Sequence, residues 1–172
     1  MKLKIILCLL FISGIFFVNE EKGYACSCAQ PSSVQSELEN KTAIFSGKVL
    51  KIIENSKKEA LIEVNQIWKG PSQSQLIIET ERDSAGCGFD FIEGQTYLIY
   101  AYGEKNTLET GLCERTALVT DAGDDIRVLG AGKEPEKQVN LEHQLDSNRL
   151  MGVIVFAVTF ILIFIIVYKR KK

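Results

Sequence analysis

Cys26-Ser27-Cys28 is the stretch of this sequence best equipped for chemistry. It follows Gly23-Tyr24-Ala25, and Gly23 and Ala25 supply the small-x-Ala pattern of a signal peptidase site. Cleavage after Ala25 makes Cys26 the first residue of the mature chain. Its α-amino group and its carbonyl oxygen then sit together at one end of the protein. A disulfide at its sulfur would make that end rigid. A rigid, solvent-facing amine and carbonyl can chelate a metal ion that belongs to another protein.

The ends of the chain set the conditions for this chemistry. Residues 1–25 read as a signal peptide, with Lys2 and Lys4 before an apolar run, 5–18, broken only by Ser13 and Gly14. A lipoprotein signal also ends at a cysteine, and acylation of the amine would abolish chelation. Such a signal runs its apolar core up to the cut and places a Leu-like residue three before the cysteine. Here Asn19-Glu20-Glu21-Lys22 intervenes and Gly23 holds that place, which favours simple cleavage. At the other end, residues 150–168 form 19 uncharged, mostly aliphatic and aromatic positions. That matches the roughly 20 residues needed to cross a bilayer. Lys169-Arg170-Lys171-Lys172 follows, and basic residues stay on the cytoplasmic side. The expected localisation is therefore the cell membrane, in a single pass, with the N-terminal domain outside and the tail 169–172 cytoplasmic. Asp146-Ser147-Asn148-Arg149-Leu150 is not the LPxTG-like motif that covalent wall attachment needs.

Residues 26–149 carry 13 basic and 20 acidic side chains, a formal charge of −7 that the whole-chain value of −2 conceals. This argues against nucleic acid or anionic lipid as the ligand. Residues 26–130 read as one domain and 131–149 as an extracytoplasmic stalk. The polar run 131–148 has no apolar period, and its 18 residues would span roughly 60 Å fully extended. Within the domain the pattern is β. Strands are expected at 43–53, 60–68, 76–80, 96–102 and 116–120, with Gly47 marking a bend. A short helix is expected over 32–40, capped by Ser32 with Gln35 completing a capping box. A second is expected over 120–129, capped by Thr120 or Asp121. Short strands separated by turn residues suggest a small barrel.

Of five cysteines, Cys8 lies in the signal, leaving Cys26, Cys28, Cys87 and Cys113. Four cysteines in an exported domain read as two disulfides. A bridge from Cys26 to Cys28 would close a very small strained ring, which leaves two pairings. In both, the first three residues are stapled to two separate places in the fold. A four-thiolate zinc site is disfavoured, because CxC is tighter than the usual C-x₂₋₄-C chelate. No cofactor and no enzymatic activity are expected. The single histidine, His143, lies in the stalk, and Ser27 has no histidine within the domain to activate it. Glu79, Glu81 and Asp83 read as a solvated edge, Asp124-Asp125 as helix-end charges, and Phe45 and Trp68 as core. Ala85-Gly86-Cys87-Gly88 reads as a turn around a disulfide, since it opens no helix that could bind phosphate.

Cys26-Ser27-Cys28 at the mature start resembles the N-terminal domain of tissue inhibitors of metalloproteinases (TIMPs), and more broadly the netrin-like (NTR) module. Ala43-Ile44-Phe45-Ser46-Gly47-Lys48-Val49 is similar to that family's first strand. Ala85-Gly86-Cys87-Gly88, Gly94-Gln95-Thr96-Tyr97-Leu98-Ile99 and Gly111-Leu112-Cys113 fall where the family has its partner cysteines and the intervening strand. The resemblance implies a mainly β fold: a five-stranded OB-like Greek-key barrel with short flanking helices, to which this chain adds one C-terminal transmembrane helix. It implies the disulfides Cys26–Cys87 and Cys28–Cys113. It implies further that Cys26 chelates the catalytic zinc of a protease while Ser27 enters the protease's main specificity pocket. The chemistry is coherent. A catalytic zinc keeps one position for water, and a terminal amine with a reference pKa of about 7.7–8.0 has a usable neutral fraction at pH 7. The chain departs from the family in lacking its third N-domain disulfide and its cysteine-rich second domain, and in placing Pro31 one residue later. Two functions are therefore expected: a membrane-anchored inhibitor whose partner is a zinc metalloprotease, or a non-inhibitory NTR-type module that binds another surface protein or serves a structural role.

Overall fold

The computed structural model describes residues 26–143. The segments read as signal (1–25), membrane span (150–168) and cytoplasmic tail (169–172) lie outside the described residues, as do residues 144–149. Among the described residues no helix is long and apolar enough to cross a membrane. The element order is α1 (Val34–Asn40), β1 (Ala43–Glu54), β2 (Lys58–Lys69), β3 (Gln75–Thr80), a 3₁₀ turn (Ser84–Gly86), β4 (Thr96–Glu104), β5 (Thr107–Glu109), β6 (Ala117–Leu118) and α2 (Gly123–Leu129). The fold is mainly β. Five strands close into a barrel in the order β1-β2-β3-β5-β4, with β4 returning to β1. All these pairings are antiparallel except β3–β5, where Ile78 lies beside Leu108 and Glu79 beside Glu109.

Closure depends on β1 serving two partners. Its first half pairs β4, from Ala43 opposite Ala101 to Lys48 opposite Thr96, while its whole length pairs β2. The register of β1 on β2 slips between Ser46 and Gly47, at the glycine read as a bend. A Cβ on Gly47 would lie 2.4 Å from Ile62 Cγ2 and 2.6 Å from the Glu63 carbonyl oxygen. Only glycine lets the two strands approach this closely.

The barrel interior is filled by Phe45, Val49, Ile62, Val64, Leu76, Ile78, Ile99 and Leu108. Phe91, also in this core, stacks edge-on to Tyr97 at 5.1 Å. Ile44, Leu98 and Tyr100 point the other way and are covered by Ala122, Ile126 and Leu129 of the α2 region. Burial on both faces explains why 43–45 and 97–101 are unbroken apolar runs rather than alternating ones.

Two helix caps are corrected, and the strand expected at 116–120 shortens to Ala117–Leu118, so that the fifth strand of the barrel is β5, outside the expected set. The cap of α1 is Ser33, whose Oγ accepts from the Ser36 amide at 3.3 Å. Ser32 sits one residue outside, so Gln35 completes no capping box. Neither Thr120 nor Asp121 caps α2, which begins at Gly123 after Ala122 and has no side-chain cap. Residues 118–122 are used instead in a turn, with the amides of Asp121 and Ala122 donating to the Leu118 carbonyl. The strand β5 has three residues, too few for alternation to be visible.

The chain beyond Gly130 stays on the barrel. Ile67 and Lys133 exchange both backbone hydrogen bonds at 2.8 Å. The amides of Glu136 and Lys137 donate to Ser72 O, and Ser74 N donates to Lys137 O. Val139 N donates to Ser74 Oγ and Leu141 N to Gln75 Oε1. This strap lies where strands leave groups open. Residues 64–69 of β2 pair only β1, and β3 below Ile78 has no β5 beside it. Unpaired sheet edges favour whatever backbone can reach them. Part of the segment read as stalk is thus held by the domain. A chain ending at Gly130 is expected to be about 2 kcal/mol less stable than one ending at His143, read as a lower urea midpoint.

Candidate docking site at the N-terminal tripeptide

Two disulfides fix the tripeptide. Cys26 is bonded to Cys87 and Cys28 to Cys113, with Cα–Cα distances of 5.5 and 5.1 Å. These are the pairs that the resemblance implies. Between them Ser27 is exposed, and so are Ala29, Gln30 and Pro31. The tripeptide therefore lies as a strip on two loops, one after β3 and one after β5.

Both loops are stiff for identifiable reasons. Asp83 folds the first one: its carboxylate accepts from the Gly86 amide and its carbonyl from the Gly88 amide, each at 2.9 Å. Cys87 takes a left-handed backbone at φ 63°, sparse for a residue with a Cβ. Gly88 leaves no room for a Cβ, which would meet the Glu81 carbonyl oxygen at 2.1 Å. Phe89 N donates to Thr80 Oγ1 at 2.7 Å, tying the loop back to β3. The two loops are joined where Leu112 N donates to Cys87 O at 2.8 Å. Thr110 and Thr116 then bind the second loop to β4. Their hydroxyls lie 2.7 Å apart, Thr110 Oγ1 donates to Tyr100 O, and Tyr100 N donates to Thr116 Oγ1.

Charged groups extend this support. Arg115 grips Asp125 with two nitrogens, and Tyr100 OH donates to Asp125 Oδ2 at 2.9 Å. The third guanidinium nitrogen donates to the Ser32 carbonyl at 3.1 Å, four residues past Cys28. Burial pushes the Asp125 carboxyl up, but the hydrogen bonds from Arg115 and Tyr100 outweigh it and hold the group below its ordinary value. Burial, reinforced by Asp125, pushes the Tyr100 hydroxyl far above its usual range. Lys41 at the end of α1 pairs with Glu114, beside Cys113, and with Glu37 at 3.4 Å. Burial lowers the Lys41 ammonium, yet the two carboxylates leave it raised overall.

The Asp125 cluster has a pH signature. A carboxylate with a depressed folded pKa contributes stability above its unfolded pKa and loses it as pH falls through the folded value. Asp125→Asn is expected to cost about 2–3 kcal/mol at pH 7, because the partly solvated Arg115 loses its partner. The gap to the parent should hold down to about pH 5, begin to narrow near about pH 4 as the unfolded carboxylate takes up its proton, and close only once pH has fallen below the depressed folded value. Urea midpoints across this range check it.

Some side chains fall as the sequence reading has them, Phe45 in the core among them, and others do not. Asp125 is buried, whereas only Asp124 is a solvated helix-end charge, 3.1 Å from exposed Arg127. Asp83 organises the Cys87 loop rather than lying idle. Glu79 and Glu81 lie 3.8 and 3.7 Å from Lys57, which donates to Glu109 at 2.6 Å. The hydrogen bond to Glu109 accounts first for the raised Lys57 ammonium. Phe45 is fully buried, and Trp68 is half-buried, donating to Gly130 O at 2.9 Å. His143 is exposed at the end of the described residues. Among the described residues no group of three or more His, Cys, Asp and Glu is placed to hold a metal.

In comparison with known proteins, no family model matches the chain and no curated protein matches it.

Proposed function

We propose that this chain is an exported, membrane-anchored TIMP-like domain that inhibits a zinc metalloendopeptidase through the amine and carbonyl of Cys26. The strand order β1-β2-β3-β5-β4 with β4 on β1 supports reading the barrel as OB-like and Greek-key. The observation that carries the functional reading is the convergence of both disulfides on one exposed tripeptide. A barrel that needed only stability could place its bridges anywhere. Here both clamp the tripeptide whose first residue carries the amine and carbonyl proposed to bind zinc, and Ser27 is exposed between them.

In this reading the signal 1–25 is removed, and 150–168 spans the membrane ahead of the cytoplasmic tail 169–172. Cys26 then has a free amine. Zinc favours the unprotonated amine, and the bidentate chelate displaces the catalytic water. Ser27 points into the pocket beside the metal. The protein supplies no catalytic residue and no cofactor of its own.

The same bridges also stabilise the barrel, which favours a second reading as a non-inhibitory NTR-type surface module. Residues 26–143, cleaved to begin at Cys26 and assayed against a panel of zinc endopeptidases, separate the two. Inhibition in the nanomolar to micromolar range supports the first reading. Its absence across the panel, with the terminal amine shown free by mass spectrometry, leaves the module.

A further inference from the structure

The strap changes how far the tripeptide can reach. Read as free stalk, residues 131–149 are 19 residues, a tether of up to about 65 Å. The strap is hydrogen-bonded to the barrel from Lys133 to Leu141. Only the eight residues 142–149 remain between the domain and the apolar stretch, a leash of at most about 27 Å. A domain of this size is about 35 Å across. The tripeptide can therefore stand no more than about 60 Å above the bilayer, against about 100 Å for a free stalk.

We propose that residues 131–141 are a reach-setting strap, and that by holding Cys26-Ser27-Cys28 close to the bilayer they favour a partner held at the same membrane over a freely soluble one. This rests on the proposed anchor at 150–168. Two proteins held in one membrane by short tethers meet at a high effective concentration, which falls as a tether lengthens beyond the span it must cover. A soluble partner gains nothing from the short leash. The strap suits a length-setting role because its bonds are mainly to backbone and to the side chains of Ser74 and Gln75, on edges the barrel leaves open. It carries little of the core: residues 131–141 are exposed or half-buried.

The full chain in nanodiscs of phosphatidylethanolamine and phosphatidylglycerol tests the strap and the anchor separately. Hydrogen exchange should show the amides of Lys133, Lys137, Val139 and Leu141 slowed at least about tenfold. Exchange at the unprotected rate overturns the strap while leaving the anchor standing. Failure of the chain to enter the discs overturns the anchor, and the reach limit with it. A dye on a non-natural residue at exposed Ser56 should transfer energy to a lipid-borne acceptor. An 11-residue Gly/Ser insert after Leu141 should reduce that transfer several-fold, and equal transfer in both chains overturns the reach limit. For the partner, a photo-crosslinker at exposed Ala29 on intact cells should capture proteins that remain with carbonate-washed membranes. Capture chiefly of freely soluble proteins overturns the membrane-held assignment.

Discussion

One alanine added before Cys26 is expected to abolish inhibition of a zinc endopeptidase while leaving the fold unchanged. The expected loss is at least about 1,000-fold in Ki, equivalent to roughly 4 kcal/mol. The added residue turns the terminal amine into an amide, whose nitrogen lone pair is delocalised into the carbonyl and no longer available to a metal. The five-membered chelate is lost, and an extra residue is pushed toward the protease zinc. The bridges to Cys87 and Cys113 remain, so urea midpoints should agree within about 0.5 kcal/mol. Acetylation of the same amine should act similarly without adding a residue. Inhibition that survives both changes removes chelation from the account. Ser27 then becomes the residue to vary, since it is exposed between the two bridges.

What the sequence reveals follows from how local each signal is. The long strands β1, β2 and β4 are legible because each supplies at least nine residues of β-rich pattern. Gly47 is legible as a bend because a glycine inside such a run weakens the strand unless a bulge or a close backbone approach requires it. The tripeptide is legible because a small-x-Ala pattern runs directly into a CxC, and because the four cysteines from Cys26 onward are an even number. Asp125 is not: one carboxylate in a helix's first turn looks like any other until Arg115 and Tyr100 arrive from elsewhere in the chain. Asp83 is hidden in the same way, since its role depends on the loop closing around Cys87. Residues 131–141 mislead because a strap that bonds through its backbone needs no apolar period of its own. Its partners are edges left open where β3 stops pairing β2 at Glu63 and where β5 meets β3 only at Ile78 and Glu79, a fact of topology rather than of local sequence.

Removing either disulfide is expected to cost roughly 4 kcal/mol of stability, which for a domain of this size is a large share of the total. The loops closed have sequence separations of 61 and 85 residues. Because loop entropy grows only with the logarithm of length, chain entropy separates the two bridges by only about 0.3 kcal/mol. Any larger difference must come from the native loops. At Cys87 the backbone is left-handed, and the bond to Cys26 is one of the constraints that keep it there. The double variant Cys26→Ala, Cys87→Gly should therefore be about 1 kcal/mol more stable than Cys26→Ala, Cys87→Ala. At Cys113 no such backbone exists, and glycine should be no better than alanine beside Cys28→Ala. Function should separate the bridges in the opposite sense. Loss of Cys28–Cys113 leaves Cys26 bonded to the Cys87 loop, with the Arg115 contact to Ser32 still holding the segment behind it. Inhibition should then weaken by only about tenfold, the cost of ordering a few freed residues. Loss of Cys26–Cys87 frees the chelating residue itself and should weaken it by at least about 100-fold. Equal losses of inhibition from the two variants would mean that the bridges serve the barrel alone.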